Sequence, residues 1–209
     1  MSITRIQTMF PEKDGIDYNL LQMTPEGEYS MTRRADGKKL LARIAFVVGK
    51  TQNKTITDLT GNVGGDTILF GMNFEQVTSI EIQEDNYNAL KNNIKVFQLS
   101  NVQALHGDST EVFNWKTDLV YIDPPWGGPD YKSKENLDVF LGNSRIDEYI
   151  RKLLMKSWRP NFIFIKLPRN YNFDRLSNLP HIKQEHRFLI RNFFLFCLEV
   201  DAWSFFDEA

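Results

Sequence analysis

The sequence predicts an α/β fold: a seven-stranded, mostly parallel sheet with helices on both faces and a C-terminal antiparallel hairpin. Short β-rich runs alternate with runs of helical spacing from about residue 32 to residue 167, the pattern of parallel strands joined by helical crossovers. The last two apolar runs lie too close together for a helical crossover, so they are expected to pair as a hairpin. A chain of 209 residues can bury the core of one such domain.

The elements are predicted in chain order from periodicity and from the residues that end each run. Apolar residues recur at helical spacing from Leu40 to Val48, and Gly49 ends this helix. Further helices are predicted at 67–72, 85–97 and 146–158, and strands at 55–59, 77–82, 102–105, 118–122, 161–167, 188–190 with its flanks, and 193–200.

Residues 1–30 mix prolines, glycines and charges without a sustained period. We predict an irregular lead-in that packs on the domain or closes over a ligand, with a disordered tail as the alternative for residues 1–10. The chain is accordingly divided into an N-terminal, substrate-side segment, residues 1–31, and one domain, residues 32–209.

Composition excludes several classes of protein. The net charge is −2, so the chain is not a generally basic protein that coats nucleic acid through charge alone. Its single cysteine, Cys197, lies in an apolar run and is expected to be a buried strand residue, and with three histidines no zinc-binding spacing exists. Because neither a signal peptide nor an apolar run of membrane-spanning length is found, we expect a soluble, intracellular protein without a metal.

Acidic and glycine-rich segments follow the predicted strands, where ligands bind in sheets of this kind. The loop 58–67 lacks the spacing of a phosphate-binding loop, so alone it is equally consistent with a tight turn. Glu81, 23 residues after Asp58, could accept both hydroxyls of a ribose, or it could be a surface acid. Asp108 could bind an adenine amino group, or it could cap the next helical turn.

The segment 123–131, Asp-Pro-Pro-Trp-Gly-Gly-Pro-Asp-Tyr, is the most specific feature. Three prolines, two glycines and two aromatic residues in nine positions exclude regular structure and fix the backbone. The Trp126 ring could stack on a planar group, while Asp123 and the Pro124 carbonyl accept hydrogens from an exocyclic amine. A Pro-Pro-aromatic loop after a strand, downstream of a glycine-rich loop, is typical of amino-directed methyltransferases with the Rossmann-like class I fold.

From residue 27 to about residue 200 the chain resembles the trimethylguanosine synthase family, the RNA cap guanine-N2 methyltransferases. It departs from the family at Asn62, where members have glycine, and at Asp123, where many have serine. The lead-in also continues with Arg33-Arg34 where members have Pro-Glu. The matching segments are 27–32, 58–67, 80–82, 91–93, 123–131 and 167–170.

The resemblance implies S-adenosylmethionine as cofactor and a 7-methylguanosine cap, or RNA that carries it, as the partner of a monomeric enzyme. It implies that Asp58 and the Gly64-Gly65 backbone hold the methionine part, with Thr32 near its carboxylate, Glu81 on the ribose and Asp108 at the adenine edge. The cofactor-binding residues would be Thr32, Asp58, Thr60, Gly61, Gly64, Gly65, Thr67, Glu81, Asp108 and Asp123. The catalytic residues would be Asp123, Pro124 and Trp126, and the substrate-binding residues Asn93, Pro124, Trp126, Tyr131 and Arg169, with Arg187 or Arg191 as further phosphate contacts.

An N7-methylated guanine is cationic, and stacking on Trp126 would then gain a cation–π contribution of about 0.5–2 kcal/mol over neutral guanine. Prior N7 methylation could therefore be a requirement. Two alternatives stay open. Asp123 would suit an enzyme acting on adenine N6, or on guanine N2 in other RNA or DNA. Asn62 would suit a catalytically silent cap-binding module.

Overall fold

The computed structural model describes residues 3–202 and divides into two compact units, with the boundary between residues 109 and 110. The first unit contains three parallel strands, with β2 paired to both β1 and β3. Its elements, in chain order, are α1 (Ile3–Met9), α2 (Pro25–Ser30), α3 (Arg34–Val48), β1 (Thr55–Asp58), α4 (Gly65–Gly71), β2 (Gln76–Glu81), α5 (Glu84–Val96) and β3 (Val102–His106).

The short helix α6 (Ser109–Val112) begins at the last residue of the first unit and continues into the second. In this unit β4 and β7 are parallel, whereas β9 is antiparallel to both β7 and β8. Its elements are β4 (Leu119–Ile122), β5 (Phe140–Leu141), β6 (Ser144–Arg145), α7 (Ile146–Leu154), β7 (Phe162–Pro168), β8 (Ile182–Ile190) and β9 (Phe193–Val200).

Seven strands form one sheet in the order β3-β2-β1-β4-β7-β9-β8, which confirms the predicted mostly parallel sheet with its terminal hairpin. Residues of β4 are buried throughout, as are those of β7 after Phe162, because both faces of these strands are covered. Cys197 is buried in β9, as predicted, and burial raises the pKa of its thiol. Each predicted strand and helix of the domain is present, with ends that differ by a few residues.

The lead-in is more regular than its composition predicts. Two short helices, α1 and α2, replace the irregular segment, and α1 falls within the residues for which a disordered tail was the alternative. The start of α2 is set by Thr24, whose side chain accepts from the Gly27 N–H, and by Pro25 in the first turn. The lead-in packs on its unit: Phe10 and Leu21 belong to a core cluster with residues of the domain.

Three local differences appear in the second unit. Helix α7 ends at Leu154, not at residue 158, and residues 155–158 form turns in which the Lys156 N–H donates to the Leu153 carbonyl at 3.1 Å. Strand β8 begins at Ile182 and is longer than predicted. Most of its residues before Ile190 are polar and partly or fully exposed, so they form no apolar run from which a strand could be predicted. The two-residue strands β5 and β6 were not predicted, as pairs this short leave no periodic pattern.

Within residues 3–202, no helix is both long and apolar enough to cross a membrane. Nor does that part of the chain bring together three or more side chains that could hold a metal ion.

Candidate active site

The glycine-rich loop after β1 is organised around the buried carboxylate of Asp58. Its Oδ2 accepts from the Thr67 hydroxyl at 2.7 Å, and its Oδ1 accepts from the Thr60 N–H at 3.0 Å. Thr67 Oγ1 also lies 2.9 Å from Ser79 Oγ on β2. One acid therefore links the end of β1, the loop and the first turn of α4, because a buried carboxylate needs a partner for each oxygen.

The loop glycines are required for different reasons. Gly64 has φ +98°, in the left-handed region that residues with a Cβ rarely adopt. At Gly61 the requirement is space, since a Cβ there would lie 2.4 Å from Ser79 Oγ. At Gly65 a Cβ would lie 2.5 Å from Met31 Cγ. The loop therefore packs tightly on β2 and on the end of the lead-in.

Asn62 stands where members of the family have glycine, and its backbone adopts the positive φ that glycine would allow. Its φ is +47°, which asparagine tolerates better than other non-glycine residues. Its side-chain nitrogen donates to Ser30 Oγ at 2.8 Å, and its Oδ1 accepts from the Val63 N–H at 2.7 Å. These bonds tie the loop to α2.

Glu81 ends β2 with both carboxylate oxygens held by the backbone. Oε2 accepts from the Asn62 N–H and Oε1 from the Gln83 N–H, each at 2.7 Å. The residue is only 6% exposed, and burial raises its pKa above the ordinary value, against the two backbone hydrogen bonds, which lower it. A carboxylate fixed in this way still has lone pairs for the adjacent hydroxyls of a ribose.

Thr32 and Asp108 are, in chain order, the first and the last of the predicted residues in the first unit. The buried Thr32 hydroxyl donates to Asp66 Oδ2 in α4 at 2.7 Å. Thr32 and Gly65 both line a cavity of about 210 Å³ beside α3 and α4. Asp108 is half-buried and follows Gly107, whose N–H donates to the Glu81 carbonyl at 3.0 Å, so the ends of β2 and β3 are joined.

Asn93 does not lie where a substrate could reach it. The residue is 0% exposed, and its Nδ2 donates to the carbonyls of Gln22 and Val63, each at 2.8 Å. Its Oδ1 accepts from the Gln22 N–H at 2.8 Å. These bonds brace the lead-in against the glycine loop. The expected contact of Asn93 with a base edge is therefore wrong, because its amide is already occupied by the protein's own backbone.

In the second unit, Asp123 follows β4 and forms a salt bridge that was not predicted. Its Oδ2 lies 2.5 Å from the Nζ of Lys166 on β7, and the side chains are 19% and 6% exposed. The signal in the sequence was a single lysine within the apolar run 162–167. A lysine buried this deeply needs an anionic partner.

The Trp126 ring is half-buried and packs edge-on against Tyr131, with centroids 5.1 Å apart and planes at 70°. Pro124 is buried and Pro125 is exposed. Asn170, which lies in the matching segment 167–170 but was given no role of its own, donates from Nδ2 to the carbonyls of Tyr131 at 2.7 Å and Lys134 at 2.6 Å. The aromatic pair thus lies on a turn that β7 holds in place.

The predicted arginines are exposed. Arg169 lies between β7 and Asn170, and Arg191 lies in the β8–β9 turn. The Arg187 guanidinium covers the rings of Phe173 and Phe196 at 5.0 and 5.2 Å and pairs with Glu185 at 3.2 Å.

Most of the predicted residues thus belong to one connected set of contacts in each unit. In the first unit, Asp58, Thr60, Gly61, Gly64, Gly65, Thr67 and Glu81 belong to one frame, which includes Ser79 and Asn62. In the second, Asp123 and Trp126 both contact Lys166, and Tyr131 contacts Trp126.

Comparison with known proteins identifies the family of the chain. A sequence model of the RNA cap guanine-N2 methyltransferase family matches residues 53–193. The trimethylguanosine synthase of Schizosaccharomyces pombe is 33% identical over 175 residues, covering 77% of this chain and 71% of that protein. The uncharacterized protein L320 of Acanthamoeba polyphaga mimivirus is 37% identical over 123 residues, 57% of this chain. The chain spans about half of that relative's length, 48%.

Solved structures share the fold at low identity. A putative RNA methyltransferase from Pyrococcus horikoshii superposes with a TM-score of 0.60 at 14% identity, over 96% of this chain and 97% of its own. The Thermus thermophilus 16S rRNA N2 G1207 methyltransferase, in complex with AdoMet and guanosine, superposes with a TM-score of 0.59 at 14% identity, over 86% of this chain and 44% of its own.

The family match covers more than half of the chain, including the glycine loop, Glu81 and the Pro-Pro-Trp segment. S-adenosylmethionine is the methyl donor that this family uses. The chain is therefore a methyltransferase and belongs to the RNA cap guanine-N2 methyltransferase family.

Proposed function

We propose that this chain transfers a methyl group from S-adenosylmethionine to the exocyclic N2 of the guanine in an RNA cap. The single observation that carries the proposal is the rigid Pro-Pro-Trp segment after β4, with an acid and an indole placed by a buried lysine and a neighbouring tyrosine. The family match supports the reaction, and the relatives at about 30% identity support the cap as the target.

The first unit fits the cofactor by the chemistry of its donors and acceptors. Glu81 would accept the ribose hydroxyls, because its carboxylate is already oriented by two backbone N–H groups. Asp58 and the Gly64-Gly65 backbone would hold the methionine part, with Thr60, Gly61 and Thr67 keeping the loop in shape and Thr32 near the cofactor carboxylate. Asp108 would bind the adenine edge. The bound cofactor would supply a methyl group already activated by its sulfonium.

The second unit would bind the guanine. Trp126 would stack on the base, and Asp123 and the Pro124 carbonyl would accept hydrogens from its amine, with Asp123 also bordering the cofactor. Tyr131 and Arg169 would contact the phosphate bridge, with Arg187 or Arg191 as further partners, since the forked donors of arginine suit phosphate. Residues 1–31 would form the segment on the substrate side, where α2 is tied to the glycine loop through Asn62.

Catalysis would consist mainly of alignment. By accepting the two amine hydrogens, Asp123 and Pro124 would point the N2 lone pair at the methyl group. Holding a nucleophile and its target in line replaces a bimolecular encounter and lowers the barrier by several kcal/mol, up to about 10. The amine becomes acidic as it gains the methyl, so no strong base is needed before attack.

The test is methyl transfer from labelled S-adenosylmethionine to three acceptors: an N7-methylated cap dinucleotide, the unmethylated cap dinucleotide, and uncapped RNA, with the product identified as N2-methylguanine. Transfer to a cap dinucleotide is expected. Transfer to uncapped RNA alone, whether on adenine N6 or on internal guanine N2, would overturn the cap as target.

The Trp126→Ala variant should abolish transfer and cap binding while S-adenosylhomocysteine still binds. Trp115→Ala removes a half-buried tryptophan that packs edge-on against Phe113 before β4, whereas Trp126 follows β4, and it is the matched control for loss of an indole. Cap binding without transfer to any acceptor would favour a silent binding module.

A further inference from the structure

Positive charge is concentrated in and just after helix α3, although the chain as a whole is slightly acidic. Residues 33–54 contain seven of the 25 lysines and arginines and one of the 27 acidic residues, Asp36, which is buried. Seven basic residues less one acid give this segment a net charge of +6, so the rest of the chain, whose total is −2, carries −8. Such an asymmetry indicates a surface for a polyanion.

Two of these charges are already compensated within the protein. Glu12 of the lead-in accepts from Arg34 at 2.7 Å and from Lys38 at 3.2 Å. Arg34 and Lys38 are four residues apart, so they share the side of α3 that faces the lead-in. This side is therefore not the part of α3 that a polyanion would contact.

A second side of α3 combines basic residues with an aromatic ring. Lys39, Arg43 and Phe46 are exposed and follow one another at i, i+4 and i+7, so they lie on one face of the helix. Lys50 adds a further exposed charge directly after the helix end, and the Phe46 side chain is 71% exposed. We call these four residues the basic stripe. Charges that follow a phosphate backbone and a ring that stacks on a base are the means by which proteins bind single-stranded nucleic acid.

The apolar side of α3 is packed inside the protein, where Leu40, Ile44 and Val48 are buried. A basic helix that lies on a membrane inserts its apolar face between the lipids. In α3 that face is occupied by the protein's own core. The basic stripe therefore suits a polyanion in solution better than a lipid surface.

The stripe begins near the glycine loop and leads away from it. Helix α3 starts at Arg34, two residues after Thr32, whose hydroxyl donates to Asp66 next to that loop. At about 1.5 Å per residue, Lys39 lies about 8 Å along the axis from the first residue of the helix and Phe46 about 18 Å. A ligand that contacts this length needs several linked phosphates, which the RNA chain behind a cap provides.

We infer that the basic stripe binds the single-stranded RNA chain of the substrate, the nucleotides that follow the cap. Lys39, Arg43 and Lys50 contact its phosphates, and Phe46 stacks on one of its bases. The inference rests on the proposed function, because it takes capped RNA as the substrate. It adds an affinity for the RNA chain that a cap dinucleotide does not have.

The test measures KM and kcat of methyl transfer to a cap dinucleotide and to an unstructured RNA with the same cap and about 20 nucleotides, enough to fill one binding site. For the unaltered chain the KM of the capped RNA should be about tenfold lower at low salt and should rise with salt. The triple variant Lys39→Ala/Arg43→Ala/Lys50→Ala should raise this KM about tenfold and leave that of the dinucleotide unchanged.

Two further readouts separate charge from stacking. In a salt series, the slope of log affinity for the capped RNA against log salt should be smaller by about 2 in the triple variant, which loses three phosphate contacts. Phe46→Ala should keep the slope and raise the KM of the capped RNA about fivefold or more, the size of one lost stacking contact.

The matched control is Arg151→Ala/Lys152→Ala/Lys156→Ala, which removes three exposed basic residues in and just after α7. It should leave both KM values unchanged. All of these variants change exposed positions, so they should fold and bind S-adenosylhomocysteine as before. An equal rise in the KM of the capped RNA in both triple variants would mean that only the overall charge matters, and would overturn the inference.

Equal KM values for capped RNA and cap dinucleotide in the unaltered chain would also overturn the inference, and would leave the proposed function standing. If neither capped acceptor were methylated while uncapped RNA bound to the unaltered chain and not to the stripe variant, the proposed function would fail and the RNA-binding surface would stand. Stripe-dependent binding to vesicles of anionic lipid, with RNA binding unaffected by the substitutions, would assign the surface to a membrane instead.

Discussion

The side-chain nitrogen of Asn170 lies 2.7 Å from the carbonyl oxygen of Tyr131, and it also donates to the carbonyl of Lys134. The backbone carbonyl of Asn170 accepts from the Leu137 N–H at 2.9 Å. These contacts fasten the segment 131–137 to the end of β7, and Tyr131 in turn packs against Trp126. The orientation of the Trp126–Tyr131 pair therefore depends on a residue that lies outside the pair.

Replacing Asn170 with alanine is expected to loosen this pair. Two carbonyls lose a partner, and because they are near solvent the free energy of unfolding should fall by only about 1 kcal/mol. The affinity for a cap dinucleotide should fall several-fold, since Trp126 must be reordered on binding, whereas the affinity for S-adenosylhomocysteine should not change. Calorimetric titration with each ligand measures both.

The matched control for Asn170→Ala is Asn172→Ala. Asn172 caps the turn 173–176 by accepting from the Asp174 N–H at 3.1 Å and has no contact with the segment 131–137 among the hydrogen bonds of the described residues. An equal loss of cap affinity in both variants would mean that general destabilisation, not the loosened pair, is responsible.

The buried contact between Thr67 and Asp58 should be a large local contribution to stability. Thr67→Val keeps the shape but leaves Asp58 Oδ2 without its 2.7 Å donor, at a site that water does not reach. A hydrogen bond to a charged group contributes about 1.5–3 kcal/mol, so the free energy of unfolding should drop by an amount in this range. Urea denaturation provides the measurement.

Thr60→Val removes only a 3.4 Å hydroxyl contact to the same carboxylate and leaves the Thr60 N–H in place, so its effect should be much smaller. If the two variants were equally destabilised, the hydroxyl of Thr67 would not be the partner on which Asp58 depends.

These contacts also show what could be read from the sequence. Strand ends, the glycine loop and Glu81 were predictable because each is a local pattern or a spacing along the chain. The salt bridge between Asp123 and Lys166 was not, because it joins residues 43 positions apart through the register of β4 with β7. Once the strand order is known, the residues after Ile122 and Ile165 must meet.

The contacts of Asn93 and of the lead-in were also not predicted, because they too join residues that are distant in sequence. The chain places Asn93 on a helix beside a predicted ligand loop, which suggests a contact with substrate. The structure instead uses it to hold Gln22 and Val63, both of which are distant in sequence. For α2, a local signal was available: Thr24 followed by Pro25 and Glu26 is a typical helix start.

The affinity for S-adenosylhomocysteine is expected to fall on acidification, with a midpoint above the ordinary pKa of a glutamate, 4.5. Burial raises the pKa of Glu81, so it becomes protonated at a higher pH than an exposed glutamate and then accepts fewer hydroxyl hydrogens. Calorimetric titration over a pH series should show this step. It should be absent in Glu81→Gln and retained in Glu84→Gln, an exposed neighbour.

The raised pKa of Glu81 also determines how the free energy of unfolding of the cofactor-free protein depends on pH. The unfolded chain has the ordinary pKa at Glu81, so between the two pKa values the folded state binds more protons. The contribution of Glu81 to the free energy of unfolding therefore falls as the pH rises through this window. A pH-independent affinity for S-adenosylhomocysteine across the window would contradict the assignment of Glu81 to the ribose.

Gly64 offers a test that separates backbone strain from lack of space. Gly64 has φ +98° and ψ +15°, the left-handed region, where alanine costs about 1–2 kcal/mol of strain. Gly49 has φ +75° and ψ −137°, a conformation nearly exclusive to glycine, so alanine there is strained by about 1–3 kcal/mol. At Gly49, the end of α3, a Cβ would meet nothing within 4 Å. At Gly64 it would lie 2.9 Å from Leu90 Cδ1, in a buried region where Leu90 has little room to move. Both variants should therefore be destabilised, Gly49→Ala by strain alone and Gly64→Ala by strain and crowding together. Only Gly64→Ala should weaken the binding of S-adenosylhomocysteine, because the Gly64-Gly65 backbone would no longer hold its conformation. Thermal unfolding and calorimetric titration of the two variants give the comparison; an equal loss of cofactor affinity in both would show that the loop conformation at Gly64 is not what the ligand requires.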